Sequence, residues 1–395
     1  MKIERAVPWL WALSVLAIAA VVAGHILRPD PITREAPFVE LAAEQDRVWI
    51  NWLGDLRLGD PAPPGPGGHG PGSLPGRLHE LIDAELVIAN AEGALTRHAE
   101  QSEPGRAREY QAGRGGAAAL GRGGAIALSL ANNHTLDGGP EGLAQALARA
   151  RSAGLLTFGT GMEITETDPP RPVPRTPECR VRVPTCWEPE PPLFLRSRLG
   201  TIGIVALAED YGLKARATPD TAGFTLLRLS IQHGVRLARR GGADWVVAYV
   251  HWGQNYRSVT ERQRSWAREF AAAGYDLVIG HHPDRLQPIE YVDGMPVVYS
   301  LGNVDLDVAA RPARSRPRPA LMLTTEVTAE GPGRLMIRCI VVADESPQHQ
   351  LRPCTAAEAH PVLTSLHEQI TVERDVGFLP WDARQISASS MRGYR

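Results

Sequence analysis

The blocks 245-WVVAYVHWGQNY-256, 275-YDLVIGHHPDRLQPIE-290 and 296-PVVYSLGNVDLD-307 share one feature: an apolar, β-branched run stops abruptly at polar residues. A fully buried strand reads as a continuous apolar run, and functional groups collect on the loops leaving its carboxyl end. Val246 to Val250 therefore presents His251, and Leu277 to Ile279 presents His281, His282 and Asp284. Between them, 260-TERQRSWAREFAAAG-274 sets Trp266, Phe270 and Ala273 at helical spacing and closes on Gly274, a helix stop. The stretch is a β-α-β unit with histidines at both strand exits. Neutral imidazole is the commonest protein ligand for divalent ions, so this grouping points to a metal or phosphate site. One histidine after a strand is equally well explained as a turn residue bonded to backbone. Four metal-capable groups in two equivalent places favour a site.

Toward the amino terminus the same pattern recurs. The strand candidate 47-RVWINWLGD-55 ends in Asp55, 85-ELVIANAEG-93 ends in Asn90 and Glu92, and 125-AIALSL-130 runs straight into 131-ANNHTLDGG-139. A helix follows: Pro140 suits its first turn, Leu143, Ala146, Leu147 and Ala150 form one apolar face, and Gly154 closes it. Next come a strand at 155-LLTFGTG-161, two strands turning at Leu199 and Gly200, and a strand or helix within 224-FTLLRLSIQHGVRLARRGGA-243. The segment 59-GDPAPPGPGGHGPGSLPG-76 is too rich in Pro and Gly for regular structure and reads as a long loop, with a short helix expected at 77-RLHELIDA-84. Residues 163–192 read as a Pro-rich surface insert. Beyond Asp307, 320-ALMLTTEVTAEGPGRLMIRCIVVAD-344 is a β-hairpin turning between Glu330 and Gly333, followed by a polar tail. Alternation of strand and helix makes the chain α/β in layers.

The 395 residues, 43% hydrophobic and 22% charged, are those of a globular protein, which excludes disorder of the whole chain. A net charge of −2 without a long block of one sign gives no footprint for nucleic acid. At the amino terminus, Lys2 and Arg5 precede the apolar run 6-AVPWLWALSVLAIAAVVAG-24. This reads as a secretory signal, with a cleavage site ahead of Gly24, or as a signal anchor; the anchor is preferred. The leading positive charges place the rest outside the cytoplasm, at a cell membrane. Segments 1–27 as anchor, 28–46 as linker, 47–310 as catalytic-type domain and 311–395 as extension are the expected organisation. Cys179 with Cys186, and Cys339 with Cys354, are close enough in sequence for two local disulfides. No CxxC pair is present, so a zinc ribbon is unsupported.

Collected from the strand ends, the candidate ligands are Asp55, Glu92, Asn133, His251, His282 and Asp284, with His134 beside them. Carboxylates, an amide oxygen and imidazoles suit one or two divalent ions such as Mn²⁺, Fe²⁺ or Zn²⁺. Two ions about 3.5 to 4 Å apart bind a phosphoryl group and lower the pKa of a bridging water. His134 would protonate the leaving oxygen or stabilise phosphoryl charge. Singly, each residue has a plainer explanation, Asp55 as a turn cap and Asn133 as a helix start among them.

The motifs 53-LGDLRLGD-60, 90-NAEGALT-96, 129-SLANNHTLDGGPEGL-143, 250-VHWGQNY-256, 278-VIGHHPDRLQPIE-290 and 297-VVYSLGN-303, in this order, resemble those of the CapA-type poly-gamma-glutamate capsule biosynthesis proteins, a family related to the calcineurin-like metallophosphoesterases. The resemblance covers about Trp49 to Asp307 and implies a four-layer α-β-β-α sandwich with metal ligands on one edge. By position it implies Asp55 as the first metal aspartate, Glu92 as the bridging acid, and Asn133, His251 and His282 as ligands of the second ion. His134 is similar to the histidine that contacts the phosphoryl group, so His134 and Asn133 are the expected catalytic pair. It also implies an anionic polymer or phosphoester substrate and contact with capsule synthesis or export machinery.

Three positions depart from the family pattern. Asp284 stands where a second histidine is usual, Asn255 where a glutamate is usual, and Asp60 where a basic residue is common. An aspartate ligand changes the preferred ion and the acidity of bound water. Three functions follow: a metal-dependent hydrolase of capsule polymer production, a membrane-anchored assembly or export component without turnover, or a secreted phosphodiesterase acting on small phosphoesters.

Overall fold

The computed structural model describes residues 36–42, 46–57, 86–92, 120, 126–160, 192–210, 223–305, 319–343 and 350–382. The elements, in chain order, are β1 (Phe38–Glu40), β2 (Arg47–Arg57), β3 (Leu86–Ala91), β4 (Ile126–Ser129), α1 (Gly139–Ser152), β5 (Leu156–Phe158), β6 (Leu193–Ser197), β7 (Gly200–Ala208), α2 (Leu227–Arg240) and β8 (Trp245–His251). They continue with α3 (Glu261–Ala273), β9 (Leu277–His281), β10 (Leu286–Val292), β11 (Met295–Leu301), β12 (Asn303–Asp305), β13 (Pro319–Thr328), β14 (Gly331–Ala343), β15 (Gln350–Pro353), α4 (Ala356–Thr364), β16 (Thr371–Glu373) and β17 (Val376–Pro380). The proposed anchor at 1–27, the loop at 59–76, the helix at 77–84 and the insert at 163–192 lie outside the described residues. No helix among the described residues is long and apolar enough to cross a membrane.

The strands form two mixed sheets. One runs β1-β6-β7-β8-β9-β11-β10, with β7, β8, β9 and β11 parallel. The other runs β16-β17-β14-β13-β2-β3-β4-β5, with β12 on β2 and β15 on β14. Alternation along the strands builds the space between the sheets. Ile50, Trp52 and Ile88 from the second sheet meet Ile204, Val247, Tyr249 and Ile279 from the first, while the intervening Val87, Ala89 and Leu128 face the other way. There they receive Leu143, Ala146 and Ala150 of α1. On the opposite flank α2 packs on β7 and β8, with its Gly234 against Val205, whose neighbours Ile204 and Ala206 point between the sheets. Helix α3 lies over β10 and β11. The order of layers is thus helix, sheet, sheet, helix.

The helices form where their signals are strongest. In α3 the Thr260 side chain accepts from the Gln263 amide, Gln263 reaches back in a capping box, and Gly274 ends the helix at a φ of 91°. On its buried face Trp266 stacks on Trp252, and Phe270 meets Trp252 edge-on. The ambiguous stretch after Phe224 is helix α2, whose buried Leu227, Ile231, Val235 and Ala238 keep a period of three to four.

Three expectations need correction. The 28–46 stretch is not all linker, because β1 pairs in parallel with β6. The hairpin after 310 is not an appendage: β13 pairs with β2 and so sits inside the second sheet. The polar tail continues that sheet, with β15 and β17 on β14, and the buried Ala359 and Leu363 of α4 join the core between the sheets. These short segments are stabilised by distant partners, which local periodicity does not register. Cys339 and Cys354 form a disulfide across a separation of 15 residues. Cys179 and Cys186 lie outside the described residues.

Candidate metal centre

The edge where β2, β3, β8 and β9 end gathers the polar groups. Strand parity delivers most of them. Leu86 and Ile88 point between the sheets, so Asn90 and Glu92 do too; Val247 and Tyr249 carry His251 to the same side, and Leu277 and Ile279 carry His281. Strand β2 breaks this rule. Val48, Ile50 and Trp52 face inward, and strict alternation would turn Asp55 outward. A register shift between Trp52 and Asp55 in the β2–β3 pairing supplies one extra residue, after which Leu56 faces the outer core and Asp55 faces inward. A bulge re-aims a side chain in just this way.

Two glycines permit the close approach of backbones here. A Cβ at Gly54 would stand 2.0 Å from Gly302 O, and one at Gly280 would stand 2.2 Å from Tyr299 O. The glycines thus sit immediately before Asp55 and His281. Two non-glycine residues nearby have left-handed φ, His282 at 102° and Asp284 at 56°. Such conformations cost about 1–3 kcal/mol each and persist where surroundings over-determine them. The His282 amide donates to Asp55 Oδ2 at 2.7 Å, and Asn303 Nδ2 donates to Asp284 Oδ1.

Asp55 is fully buried. Its Oδ1 accepts from Asn90 Nδ2 at 2.6 Å and lies 2.9 Å from His281 Nδ1 and 3.3 Å from His251 Nδ1. The two ring nitrogens are 3.0 Å apart. The other nitrogen of His251, Nε2, is 2.7 Å from Asn133 Oδ1. Asn132 Nδ2 donates to Asn90 Oδ1 and to Ala91 O, and Asn132 Oδ1 takes the His134 amide at 2.9 Å, which ties the loop after β4 to β3. His134 Nδ1 is 2.7 Å from Asp137 Oδ2.

Burial pushes the His251 imidazole down to about 4, and it holds His282 well below its ordinary value. Both rings are therefore neutral near pH 7 and present lone pairs. Burial alone would raise the Asp55 carboxyl, but the facing imidazoles of His281 and His251 hold it well below the usual carboxylate range. Deprotonated carboxylate and neutral imidazole are the forms that bind metal.

Among the described residues, two groups have ligand atoms within 4.8 Å of one another: Asp55, His251 and His281, and Glu92, His251 and His282. All five residues are buried. Nitrogen and oxygen ligands at about 2.0–2.2 Å from one ion, at right to tetrahedral angles, stand about 2.8–3.6 Å apart. The spacings of 2.9, 3.0 and 3.3 Å in the first group fit that requirement. Neutral imidazoles and carboxylates fit a divalent ion such as Zn²⁺, Mn²⁺ or Fe²⁺. His251 belongs to both groups.

The structure brings Asp55, Glu92, Asn133, His251 and His282 to one edge. It places His134 in the same loop as Asn133, close enough to His251 to help depress its protonation. Asp284 lies outside both ligand groups and is bonded to Asn303. Asn255 is exposed, and Asp60 lies outside the described residues. Sequence reasoning left His281 and Asn90 out of the ligand set. Parity was the available signal, since both follow two inward-facing apolar residues at a spacing of two.

Residues 52–307 match the model of the family described as bacterial capsule synthesis protein PGA_cap. The PGA biosynthesis protein CapA of Bacillus subtilis is 26% identical over 221 residues, covering 56% of this chain and 52% of that protein. A probable polyglutamine synthesis accessory protein of Mycobacterium tuberculosis is 30% identical, covering 45% and 44%, and a capsule biosynthesis protein CapA of Bacillus anthracis is 29% identical, covering 46% and 40%. The chain thus spans about half the length of the curated relatives it matches. Among solved structures, a phosphatase of Mycoplasma pneumoniae aligns at a TM-score of 0.41 and 14% identity, covering 75% of this chain and 94% of that one. A 5'-nucleotidase precursor of Thermus thermophilus aligns at 0.37 and 13%, covering 88% and 58%. Scores this low transfer neither activity nor substrate. The family match takes in more than half of the chain and every strand end that bears a ligand candidate, and on that ground the chain belongs to the bacterial capsule synthesis protein PGA_cap family.

Proposed function

We propose that the chain is an extracytoplasmic protein of capsule or poly-gamma-glutamate-type polymer biosynthesis, with a metal-dependent, phosphoesterase-like hydrolytic site. One observation carries the reading: buried carboxylates and neutral imidazoles from four strands converge on one edge, with ligand-to-ligand spacings suited to a cation. Asp55, Glu92, Asn133, His251 and His282 would hold one or two divalent ions, together with His281 where it adds a ligand. Bound there, such an ion supplies Lewis-acid polarisation of a phosphoryl oxygen and lowers the pKa of water.

The protein's own residues supply orientation and proton transfer. Asn132 fixes the loop of Asn133 and His134 through Asn90 and Ala91. Asp137 takes the Nδ1 proton of His134 at 2.7 Å, which assigns the exchangeable lone pair to Nε2. Once Nε2 has taken up a proton from water, His134 is suited to pass it to a leaving oxygen. The substrate is an anionic polymer or a phosphoester, the partners are capsule synthesis or export machinery, and nucleic acid is disfavoured by the net charge of −2. Lys2 and Arg5 ahead of the apolar run support attachment to the cell membrane, and the Cys339–Cys354 disulfide suits an oxidising compartment.

The test is hydrolysis of p-nitrophenyl phosphate and bis-p-nitrophenyl phosphate by the full chain loaded with Mn²⁺ or Zn²⁺, beside His251→Ala. Metal-dependent turnover that falls at least about 100-fold in the variant supports the reading. Bound ions without turnover of either ester would favour a membrane-anchored polymer assembly or export component, which the placement of Asp284 outside both ligand groups also favours.

A further inference from the structure

The family pattern has a second histidine at position 284, and this chain has aspartate there. Asp284 Oδ1 instead accepts from Asn303 Nδ2, and Asp284 joins neither ligand group. We infer that His281 takes over that coordination role, ligating through Nδ1 the ion held by Asp55. The inference rests on the metal reading above and adds to it a ligand that the family motif does not supply.

Four observations support it. His281 is fully buried at the end of β9, in register with His251 of β8, and the two rings converge on Asp55. Its Nδ1 stands 2.9 Å from Asp55 Oδ1 and 3.0 Å from His251 Nδ1, so three electron-rich atoms meet at ligand spacing. Without a cation the Asn90 amide donates to Asp55 Oδ1 and the His281 proton lies among the three atoms, because the Nε2 of His251 faces the Asn133 oxygen and takes the His251 proton there. Finally, His281 Nε2 is buried and has no hydrogen-bond partner among the described residues. The proton of a neutral imidazole is placed by the bond its other nitrogen makes. In the metal-free form Asp55 Oδ1 holds the proton on Nδ1 at 2.9 Å, and because no donor among the described residues occupies Nε2, that nitrogen is open to take the proton when an ion replaces it at Nδ1.

The local sequence makes this exchange possible. Gly280 lets β9 approach Tyr299 and Trp252 at distances no Cβ would tolerate, which sets His281 at the depth of Asp55. The left-handed turn at His282 then separates the two adjacent histidines, His281 joining Asp55 and His282 joining Glu92. Two consecutive histidines thus serve the two groups, a task that the family pattern divides between positions 282 and 284.

The experiment uses the full chain, stripped with chelator and titrated with Co²⁺, with Kd, bound equivalents and the visible Co²⁺ spectrum as readouts. Asp55→Ala identifies the ion in question. His281→Gln keeps a donor toward Asp55 but is a poor ligand, and Asp284→Gly removes any ligand while suiting the left-handed backbone. The expected result is that His281→Gln weakens the Asp55-dependent ion by at least about tenfold and alters its Co²⁺ bands, while Asp284→Gly binds as the unaltered chain does. Far-UV circular dichroism of each variant separates loss of a ligand from loss of the fold, and His281→Asn serves as a second variant if the Gln form does not fold. Unchanged affinity and spectrum in His281→Gln, or loss of the ion in Asp284→Gly alone, would overturn the inference and leave the metal reading standing. Failure of the unaltered chain to bind Co²⁺ would remove both.

Discussion

The two sheets supply the site in different ways. In the first sheet, β8 and β9 are uninterrupted runs whose last inward residues are His251 and His281, so position follows directly from parity. In the second, Asp55 reaches the same space only because β2 carries an extra residue after Trp52. His251 and His281 are set by regular strands, whereas Asp55 depends on a local irregularity held by the neighbouring strand. A regular strand can be read forward from its pattern, whereas a bulge shows itself only through its partner.

That contrast can be broken most forcefully at Asp55. Asp55→Ala removes the acceptor of Asn90 Nδ2, His281 Nδ1 and the His282 amide, all buried. Stranding these donors should cost about 3–5 kcal/mol, read as a fall in urea stability of the metal-free protein. A loss below about 1 kcal/mol would mean that the bulge, rather than the carboxylate, organises the edge.

Next in size are the glycines that let each sheet close. Gly54→Ala on the carboxylate side and Gly280→Ala on the imidazole side both drive a methyl into a carbonyl oxygen. Each should destabilise by about 3 kcal/mol, at the upper end for overpacking, since backbone cannot swing aside. Unequal effects would show which of the two sheets yields more easily, and thermal denaturation of both variants measures it.

Acid separates the two sides along another axis. The folded His251 titrates at about 4 and the unfolded residue near 6.5, so between those values the unfolded chain binds a proton that the folded chain refuses. The stability this contributes is complete above about 6.5, declines as pH falls and levels off below about 4, and His282 acts in the same direction. For metal-free protein the drop between pH 7.5 and 4.5 should be about 2–3 kcal/mol from His251 alone, and His251→Gln should abolish that part. The depressed Asp55 contributes above its ordinary value of 3.8 and is lost only at lower pH, so the carboxylate side fails after the imidazole side. The smallest expected effect belongs to Asp284→Gly, under about 1 kcal/mol, because the loss of the contact to Asn303 is offset by relief of a left-handed φ of 56°.

Much of the edge was legible. Apolar runs ending at Asp55, Glu92, His251 and His282 marked the strand exits, and the structure gathers those residues with Asn133. His281 was also within reach, at a spacing of two from Leu277 and Ile279, but the neighbouring His282 fitted the family motif and took its place. What pattern could not supply was long-range pairing. Nothing in 319-PALMLTTEVT-328 says that it lies against Arg47–Trp52, and the three residues of β1 and β16 are too few to show a period. The Asp284–Asn303 bond likewise joins the turn after β9 to the start of β12, 19 residues on, and became visible only once both were placed.

The most direct test is the divalent-ion content of the full chain equilibrated with Zn²⁺ or Mn²⁺, compared with His251→Ala. His251 is the one residue shared by both ligand groups. The account predicts tightly bound metal on the unaltered chain and its loss from both groups in the variant. Metal-free protein after loading, or a variant that retains the full complement, would contradict it.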